Sequence, residues 1–206
     1  MRVLVLGAGG KTGRAVVARA VEEGHEVTAF VHTTGSYHVP GVQVWAGDAR
    51  DGTTIEAAVK GQDAVIDTVG GKTPYRRTIL EASVARAVVA AMQRHGVRRL
   101  VVTSSLGVGD SKEHTPTSVR LVVATYLRGS TADKAAMEAV VRDSGLDFVI
   151  TRPAVLTDKP ATGNTHVLTS GGRDKARSIT RADLAAFLVA QITSSDHLGW
   201  AVTLAN

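Results

Sequence analysis

The chain of 206 residues contains no cysteine. That excludes a disulfide framework and thiolate metal sites, and it fits a reducing cytosol. Its seven histidines are scattered, with no His-Glu-x-x-His or other ligand spacing, so no metal centre is expected. Aromatic residues make up only 4% of the chain. The basic clusters Arg94, Arg98, Arg99 and Arg173, Lys175, Arg177 have few aromatics between them, so a net charge of +5 reads as solvated surface and not as a base-stacking nucleic-acid face. No apolar run reaches the ~18 residues of a membrane span, and a strand pattern begins at once where a signal peptide would stand. The expectation is a soluble, cytoplasmic protein that binds neither nucleic acid nor membrane. One local absence matters more. From Val27 through Gly47 there is no aspartate or glutamate.

What is present is alternation. Short, β-branched apolar runs at Val3 to Leu6, Val27 to Val31, Val42 to Trp45, Ala64 to Thr68, Leu100 to Thr103 and Phe148 to Thr151 read as strands buried on both faces. Amphipathic stretches at Thr12 to Glu23, Thr54 to Lys60, Ile79 to His95, Thr131 to Ser144 and Arg181 to Thr193 read as helices between and after them, and Val202 to Leu204 reads as a final strand. This is the pattern of a doubly wound parallel sheet. Thr53 with Glu56, Ser130 with Asp133, and Thr180 with Asp183 have capping-box spacing, while Gly24, Gly61, Gly96 and Gly145 stand where helices end. No linker composition interrupts the chain, so a single domain over residues 1–206 is expected. The least regular segments run from Leu106 to Ser118 and from Thr157 to Ser178.

The chemistry-bearing motif is Gly7-Ala8-Gly9-Gly10-Lys11-Thr12-Gly13, between the first strand and first helix. Glycines at 7, 10 and 13 permit a tight turn, let the backbone approach a pyrophosphate, and allow close packing of helix on strand. The helix N-terminus beyond them offers free N–H groups to an anion. Where an NAD-binding chain carries a ribose-binding acid, the second strand here ends in His32-Thr33-Thr34-Gly35-Ser36. That favours NADP(H), with Arg14 as a cation for the 2′-phosphate; NAD(H) held through the ribose hydroxyls is the alternative. Asp48, with Ala49 after it, is a candidate for the adenine side.

Beyond the loop, GQDAVI at Gly61 to Ile66, VVAAMQRHGVRRLVVTSS at Val88 to Ser105, RDSGLDFVITRPAVLTDKPATG at Arg142 to Gly163 and SITRADLA at Ser178 to Ala185 resemble the atypical short-chain dehydrogenase/reductase group of NAD(P)H-binding, NmrA-like proteins, and within it the biliverdin-IXβ (flavin) reductase branch. The resemblance implies a Rossmann sheet with a small C-terminal substrate lobe, drawn from residues 154–178. It implies cofactor contacts at Gly7, Gly10, Lys11, Thr12, Gly13 and Arg14, at Val69 and Gly70 beside the ribose, at Thr103 and Ser104 beside the nicotinamide, and at Pro153 and Ala154 on its far face. Leu106, Val108, Val155 and Leu156 would line an acceptor pocket. Trp45 and Trp200 are expected to be packing residues.

Two departures bear on mechanism. In the Tyr-x-x-x-Lys pair of ordinary short-chain dehydrogenases the lysine corresponds to Lys134, but Ser130 stands where the tyrosine would be, and Tyr126 lies eight residues before it. Ala154 replaces the branch's histidine. A simple ketone needs a positioned acid, typically worth 10² to 10⁴ in rate, whereas a flavin or quinone spreads incoming charge over its ring. The expected function is therefore NAD(P)H-dependent reduction of a planar aromatic acceptor, with Ser104 and Lys134 as catalytic candidates and an oxygenase as a partner that such a reductase would serve. The alternative is a dinucleotide-sensing regulatory protein without turnover. The sequence does not fix the oligomeric state.

Overall fold

The computed structural model describes residues 1–35, 37–71, 78–116, 128–168 and 175–206. Strands β1 (Arg2–Leu6), β2 (Glu26–Val31), β3 (Gln43–Ala46), β4 (Ala64–Asp67), β5 (Arg99–Thr103) and β6 (Asp147–Pro153) alternate with helices α1 (Lys11–Glu22), α2 (Gly52–Val59), α3 (Leu80–His95) and α4 (Arg128–Arg142). Three short strands follow, β7 (Val155–Thr157), β8 (His166–Leu168) and β9 (Ser178–Thr180), then α5 (Arg181–Ala190) and β10 (Trp200–Ala205). The main sheet is eight-stranded in the order β3-β2-β1-β4-β5-β6-β10-β8. Every pairing in it is parallel except β10 with β8. Strand order reverses between β1 and β4, and the crevice outside the strand ends at such a switch point is where doubly wound sheets bind ligands.

Alternation along β1 accounts for the two layers. Val3 and Val5 pack with Val16, Val17 and Ala20 of α1 and Leu184 and Leu188 of α5. Leu4 and Leu6 pack with Ile55 of α2, Val84, Val88 and Met92 of α3, and Met137 and Val141 of α4. All four β1 residues are fully buried, each worth roughly 1.5 to 3 kcal/mol of transfer free energy. The β7–β9 pair forms a separate two-stranded parallel sheet. No helix among the described residues is long and apolar enough to cross a membrane.

Several local expectations need correction. The cap of α2 is Asp51, whose carboxylate accepts the Thr53 N–H at 3.1 Å and the Thr54 hydroxyl at 2.5 Å; Thr53 lies inside the helix because Asp51 satisfies the first-turn donors two residues earlier. Ser130 lies within α4, which begins at Arg128, so it caps nothing there. Its partner Asp133 instead accepts from the Glu81 and Ala82 N–H groups, both at 3.1 Å, and closes the first turn of α3. Thr180 does cap α5, accepting from Asp183 N at 3.0 Å. Trp200 is 61% exposed, since it opens β10 at the sheet's N-terminal edge, where no helix covers it; Trp45 packs against the α2/α3 core. Gly24, Gly61, Gly96 and Gly145 all adopt positive φ as their positions required.

The segment from Leu106 to Ser118 contains a 3-10 helix at Gly109–His114, and the one from Thr157 to Ser178 contains β8. Ser36, Tyr126 and Arg173, with residues 117, 118 and 169–174 of those two segments, lie outside the described residues.

Candidate functional site

The glycine loop joins β1 to α1, and its glycines do different work. Gly7 has φ +72°, and a Cβ there would lie 2.9 Å from the Thr68 carbonyl carbon, so the loop needs glycine to pass against the end of β4. A Cβ at Gly13 would lie 2.7 Å from Ala8 Cα and closer still to Gly7 O. Gly10 is different. Its backbone is extended (φ −75°, ψ 165°), a conformation any residue adopts, and a Cβ would come 3.3 Å from Gly7 O. Gly10 is exposed, as are Lys11 and Arg14, with Thr12 half-buried. No side chain caps α1 and no acid stands in its first turn, so the first N–H groups of the helix have no capping side chain. Lys11 itself is engaged: its Nζ meets Asp158, just after β7, at 2.8 Å, and Asp158 also pairs with Arg181 at the start of α5.

Across from the loop, His32 is exposed directly after β2. The Arg14 guanidinium stands 4.7 Å over the ring of Tyr37, an attraction of roughly 0.5 to 1 kcal/mol at an exposed site. Tyr37 is buried and its hydroxyl has no hydrogen-bond partner. Asp48 accepts from Arg50 Nε at 2.9 Å, and this pairing holds its carboxyl far below the usual aspartate range. Ala49 beside it is half-buried.

The other half of the crevice is built from the ends of β4, β5 and β6. Thr68 donates to Leu6 O at 2.7 Å, Val69 N–H to Asp67 Oδ1 at 2.8 Å, and Gly71 N–H to Glu81 Oε1 at 3.0 Å, which fixes the turn containing Val69 and Gly70. At the end of β5, the hydroxyls of Thr103 and Ser104 are both buried; that of Thr103 has no hydrogen-bond partner, and that of Ser104 lies against the Glu138 carboxyl. Ser104 is 3% exposed, and its oxygen is near enough to Glu138 to help hold that carboxyl down. Pro153 and Ala154 are buried at the end of β6, where Leu106 N–H donates to Pro153 O at 3.1 Å and Ala154 N–H to Leu204 O at 2.9 Å. Leu106 and Val108 are buried, Leu156 is half-buried and Val155 is exposed. Asp183 ties the β7–β8 connection to α5, accepting from Thr162 N–H at 2.9 Å and Gly163 N–H at 2.9 Å. Burial opposes its ionisation, but these bonds and that of Thr180 pull it down to about 2.

Between these walls lies an ionisable cluster that the sequence reading missed except for Lys134. Lys134 Nζ is 3.5 Å from Glu81 Oε1, with 13% of the lysine side chain and 2% of the glutamate exposed. Burial raises both Glu81 and Asp67, and Asp67 reaches about 6. Burial works against Asp133 too, but hydrogen bonds to Glu81, Thr78 and the Ala82 N–H outweigh it and hold Asp133 low. One turn further along α4, Glu138 receives Arg152 bidentately at 2.9 and 2.7 Å and Arg142 at 2.9 Å. Arg152 also pairs with Asp110 of the 3-10 helix. Asp133, Met137 and Val141 with Lys134 and Glu138 form one buried helical stripe, so the α4 period held the signal; the acids on it read as surface because nothing local reveals their partners.

Asp67 makes a prediction. Its native pKa lies above its unfolded value, so the native state binds the extra proton and stability falls as pH rises from about 4 to about 6. Asp67→Asn keeps the acceptor for Val69 N–H and removes that loss. We expect the variant to be more stable than the wild type by about 1 to 3 kcal/mol at pH 8 and equal to it at pH 4, measured by urea unfolding. A difference independent of pH would contradict the assignment.

The site fits a dinucleotide: a helix N-terminus without a side-chain cap lies at the glycine loop after β1, and the buried hydroxyls of Thr103 and Ser104 lie at the end of β5. The family model described as NAD(P)H-binding matches residues 7–195. A protein described as an uncharacterized sugar epimerase from Bacillus subtilis is 29% identical over 201 residues, covering 93% of this chain and 88% of its own length. A 2-alkyl-3-oxoalkanoate reductase from Stenotrophomonas maltophilia is 31% identical over 172 residues, 76% of this chain; the match spans about half of that enzyme, 51%. Among solved structures, ChuY, described as an anaerobillin reductase from Escherichia coli O157:H7, superposes with a TM-score of 0.79 at 26% identity, covering 100% of this chain and 97% of its own.

Proposed function

The chain belongs to the NAD(P)H-binding family, on its atypical, NmrA-like short-chain dehydrogenase/reductase side, and from that premise we propose that it is a reductase for a small planar conjugated acceptor, a flavin or a quinone. The observation that carries this reading is the pairing of an uncapped glycine loop with a β5 end that, among the described residues, offers the Ser104 and Thr103 hydroxyls, and an α4 on which Ser130 stands four residues before Lys134. The dinucleotide, when bound, supplies the hydride. Gly7 to Gly13 would hold its pyrophosphate on the α1 N-terminus, Val69 and Gly70 would wall the ribose, and Pro153 and Ala154 would back the nicotinamide. Ser104 would orient the acceptor through one hydrogen bond, and the lobe of residues 154–178 would cover it. Holding reacting atoms about 3 to 3.5 Å apart is worth up to roughly 7 to 11 kcal/mol, so an acceptor that delocalises charge can react without a tyrosine.

The test is NADPH oxidation with flavin, quinone and aliphatic ketone acceptors. Flavin or quinone should turn over, ketones should lag by about 10² to 10⁴, and Ser104→Ala should lose about 10- to 10³-fold. Ketone rates matching the quinones would refute the acceptor class. Tight binding with no turnover of any acceptor would favour a redox-sensing binder.

NADP(H) is the proposed cofactor. Arg14, braced on Tyr37, and the neutral end of β2 suit a 2′-phosphate, and charge-assisted hydrogen bonds of about 1.5 to 3 kcal/mol correspond to roughly 10- to 100-fold tighter binding of NADPH than NADH. His32→Asp should reverse that preference in calorimetric titrations. Equal or better NADH affinity in the wild type would sink the assignment.

A further inference from the structure

A hydride alone leaves the acceptor one proton short, and the position four residues before Lys134 carries Ser130, not an acid of tyrosine's strength. We propose that Glu81 is the proton-holding partner of Lys134, returning to its ammonium group the proton that Lys134 passes to the reduced acceptor. The proposal rests on the reductase reading above.

The geometry is that of a buried acid beside a half-sheltered base. Glu81 sits in the first turn of α3, where Oε1 accepts the Gly71 N–H at 3.0 Å and faces Lys134 Nζ at 3.5 Å. Its Oε2 is buried and receives no donor, while the Asp133 carboxylate stands beside it as an acceptor for a proton carried by Glu81. An ionised carboxylate with one oxygen bare in the interior is costly; a carboxylic acid at the same place is not. Among the described residues, the charged and titratable groups facing Glu81 are Asp67 from β4 and Asp133 and Lys134 from α4. Asp133 is held ionised by the Thr78 hydroxyl at 2.7 Å and the N–H groups of Glu81 and Ala82 at 3.1 Å. Among the described residues one lysine faces three carboxyls, so full ionisation would leave two buried negative charges uncompensated, and a proton on the acids relieves this. Lys134 is the more accessible member of the pair, with 13% of its side chain exposed against 2% for Glu81.

The step balances. As the acceptor takes up the hydride, a Lys134 N–H bond breaks, its electron pair stays on nitrogen, and the proton forms the new O–H or N–H bond of the product. The Glu81 O–H bond then breaks and its proton restores the ammonium, leaving a carboxylate and ammonium ion pair. Water reprotonates Glu81 after product leaves. Glu81 is thus a positioning and proton-holding residue that acts through Lys134, while its bond to Gly71 also joins the lysine to the Val69–Gly71 turn.

The test uses Glu81→Gln, whose amide keeps the volume and the acceptor for Gly71 N–H but holds no transferable proton. Dinucleotide affinity should be unchanged, and kcat with a quinone should fall by about 10- to 100-fold, at or below the low end of general-acid effects. In the wild type kcat should fall as pH rises through the Glu81 ionisation; in the variant that limb should vanish. A readout without turnover is the carboxyl carbon of Glu81 in glutamate-labelled protein by NMR, assigned by its loss in Glu81→Gln, or by its shift in Lys134→Met if that variant does not fold. It should titrate above the ordinary glutamate range, and higher again in Lys134→Met. Titration in the ordinary range, or a Glu81→Gln enzyme with unchanged kcat and pH profile, would overturn the proton-holding role alone. A wild type that reduces no acceptor would overturn the reductase reading and this step with it.

Discussion

Glu138→Ala is expected to destabilise the protein by about 3 to 5 kcal/mol, the range for breaking a buried ion pair from one side. Arg152 is 1% exposed and Glu138 also 1%, and the guanidinium gives Glu138 two hydrogen bonds, at 2.9 and 2.7 Å. Burial alone would discourage both charges; Arg152, Ser104 and Arg142 outweigh it and hold the Glu138 carboxyl below its usual range. Removing the carboxylate strands the guanidinium, with only Asp110, at the surface end, left to meet it. Most of the cost is therefore the penalty of an unpaired buried charge and not the net worth of the pair. Glu138→Leu with Arg152→Met, which removes both charges and keeps the volume, should recover most of the loss. Urea unfolding of the single and double variants measures this. A single variant within 1 kcal/mol of the wild type, or a double variant worse than the single, would contradict the account of this network.

Gly10→Val is expected to abolish dinucleotide binding, by at least ~100-fold or about 2.7 kcal/mol, while leaving the fold in place. The argument rests on the contrast within the loop. Gly7 and Gly13 are needed by the protein itself: at either, a Cβ would strike backbone of β4 or of the loop. At Gly10 the backbone is ordinary and the nearest obstacle is Gly7 O at 3.3 Å. A branched side chain there would stand over the uncapped α1 N-terminus and push a pyrophosphate off the N–H groups. Gly13→Ala should behave in the opposite sense, losing stability first. Calorimetry with NADPH and thermal unfolding separate the two. Retained binding in a folded Gly10→Val protein would mean that the loop does not hold the dinucleotide.

The sheet was legible because alternation along strands and helices is a local property: Val3, Leu4, Val5 and Leu6 announce burial on two faces without knowledge of what covers them. The glycine loop was legible because its spacing and its place after β1 come from contiguous residues. The ionisable half of the site was not. Glu81 meets Lys134, Asp133 caps α3 from α4, and Lys11 meets Asp158 from opposite ends of the chain; pairings across such separations leave no periodic trace. The basic residues show the same limit. Arg94 and Arg98 are solvated as expected but pair at the surface with Glu56 and Asp147, while Arg99 is half-buried and donates to Gln191 O at 3.1 Å, a partner 92 residues away that the local pattern does not reveal. Asp51 displaced Thr53 as a cap for a local reason that spacing alone does not rank.

The central claim is that this crevice carries hydride from a nicotinamide to a planar acceptor. The most direct measurement is a single turnover in which the protein is mixed with NADPH deuterated at the transferable position and with a quinone, and the reduced quinone and the nucleotide are then analysed. The account predicts that NADPH is oxidised only when protein and quinone are both present, that the rate shows a primary deuterium isotope effect, and that the Gly10→Val protein does neither. NADPH left intact beside quinone and wild-type protein, or oxidised equally fast by Gly10→Val, would contradict it.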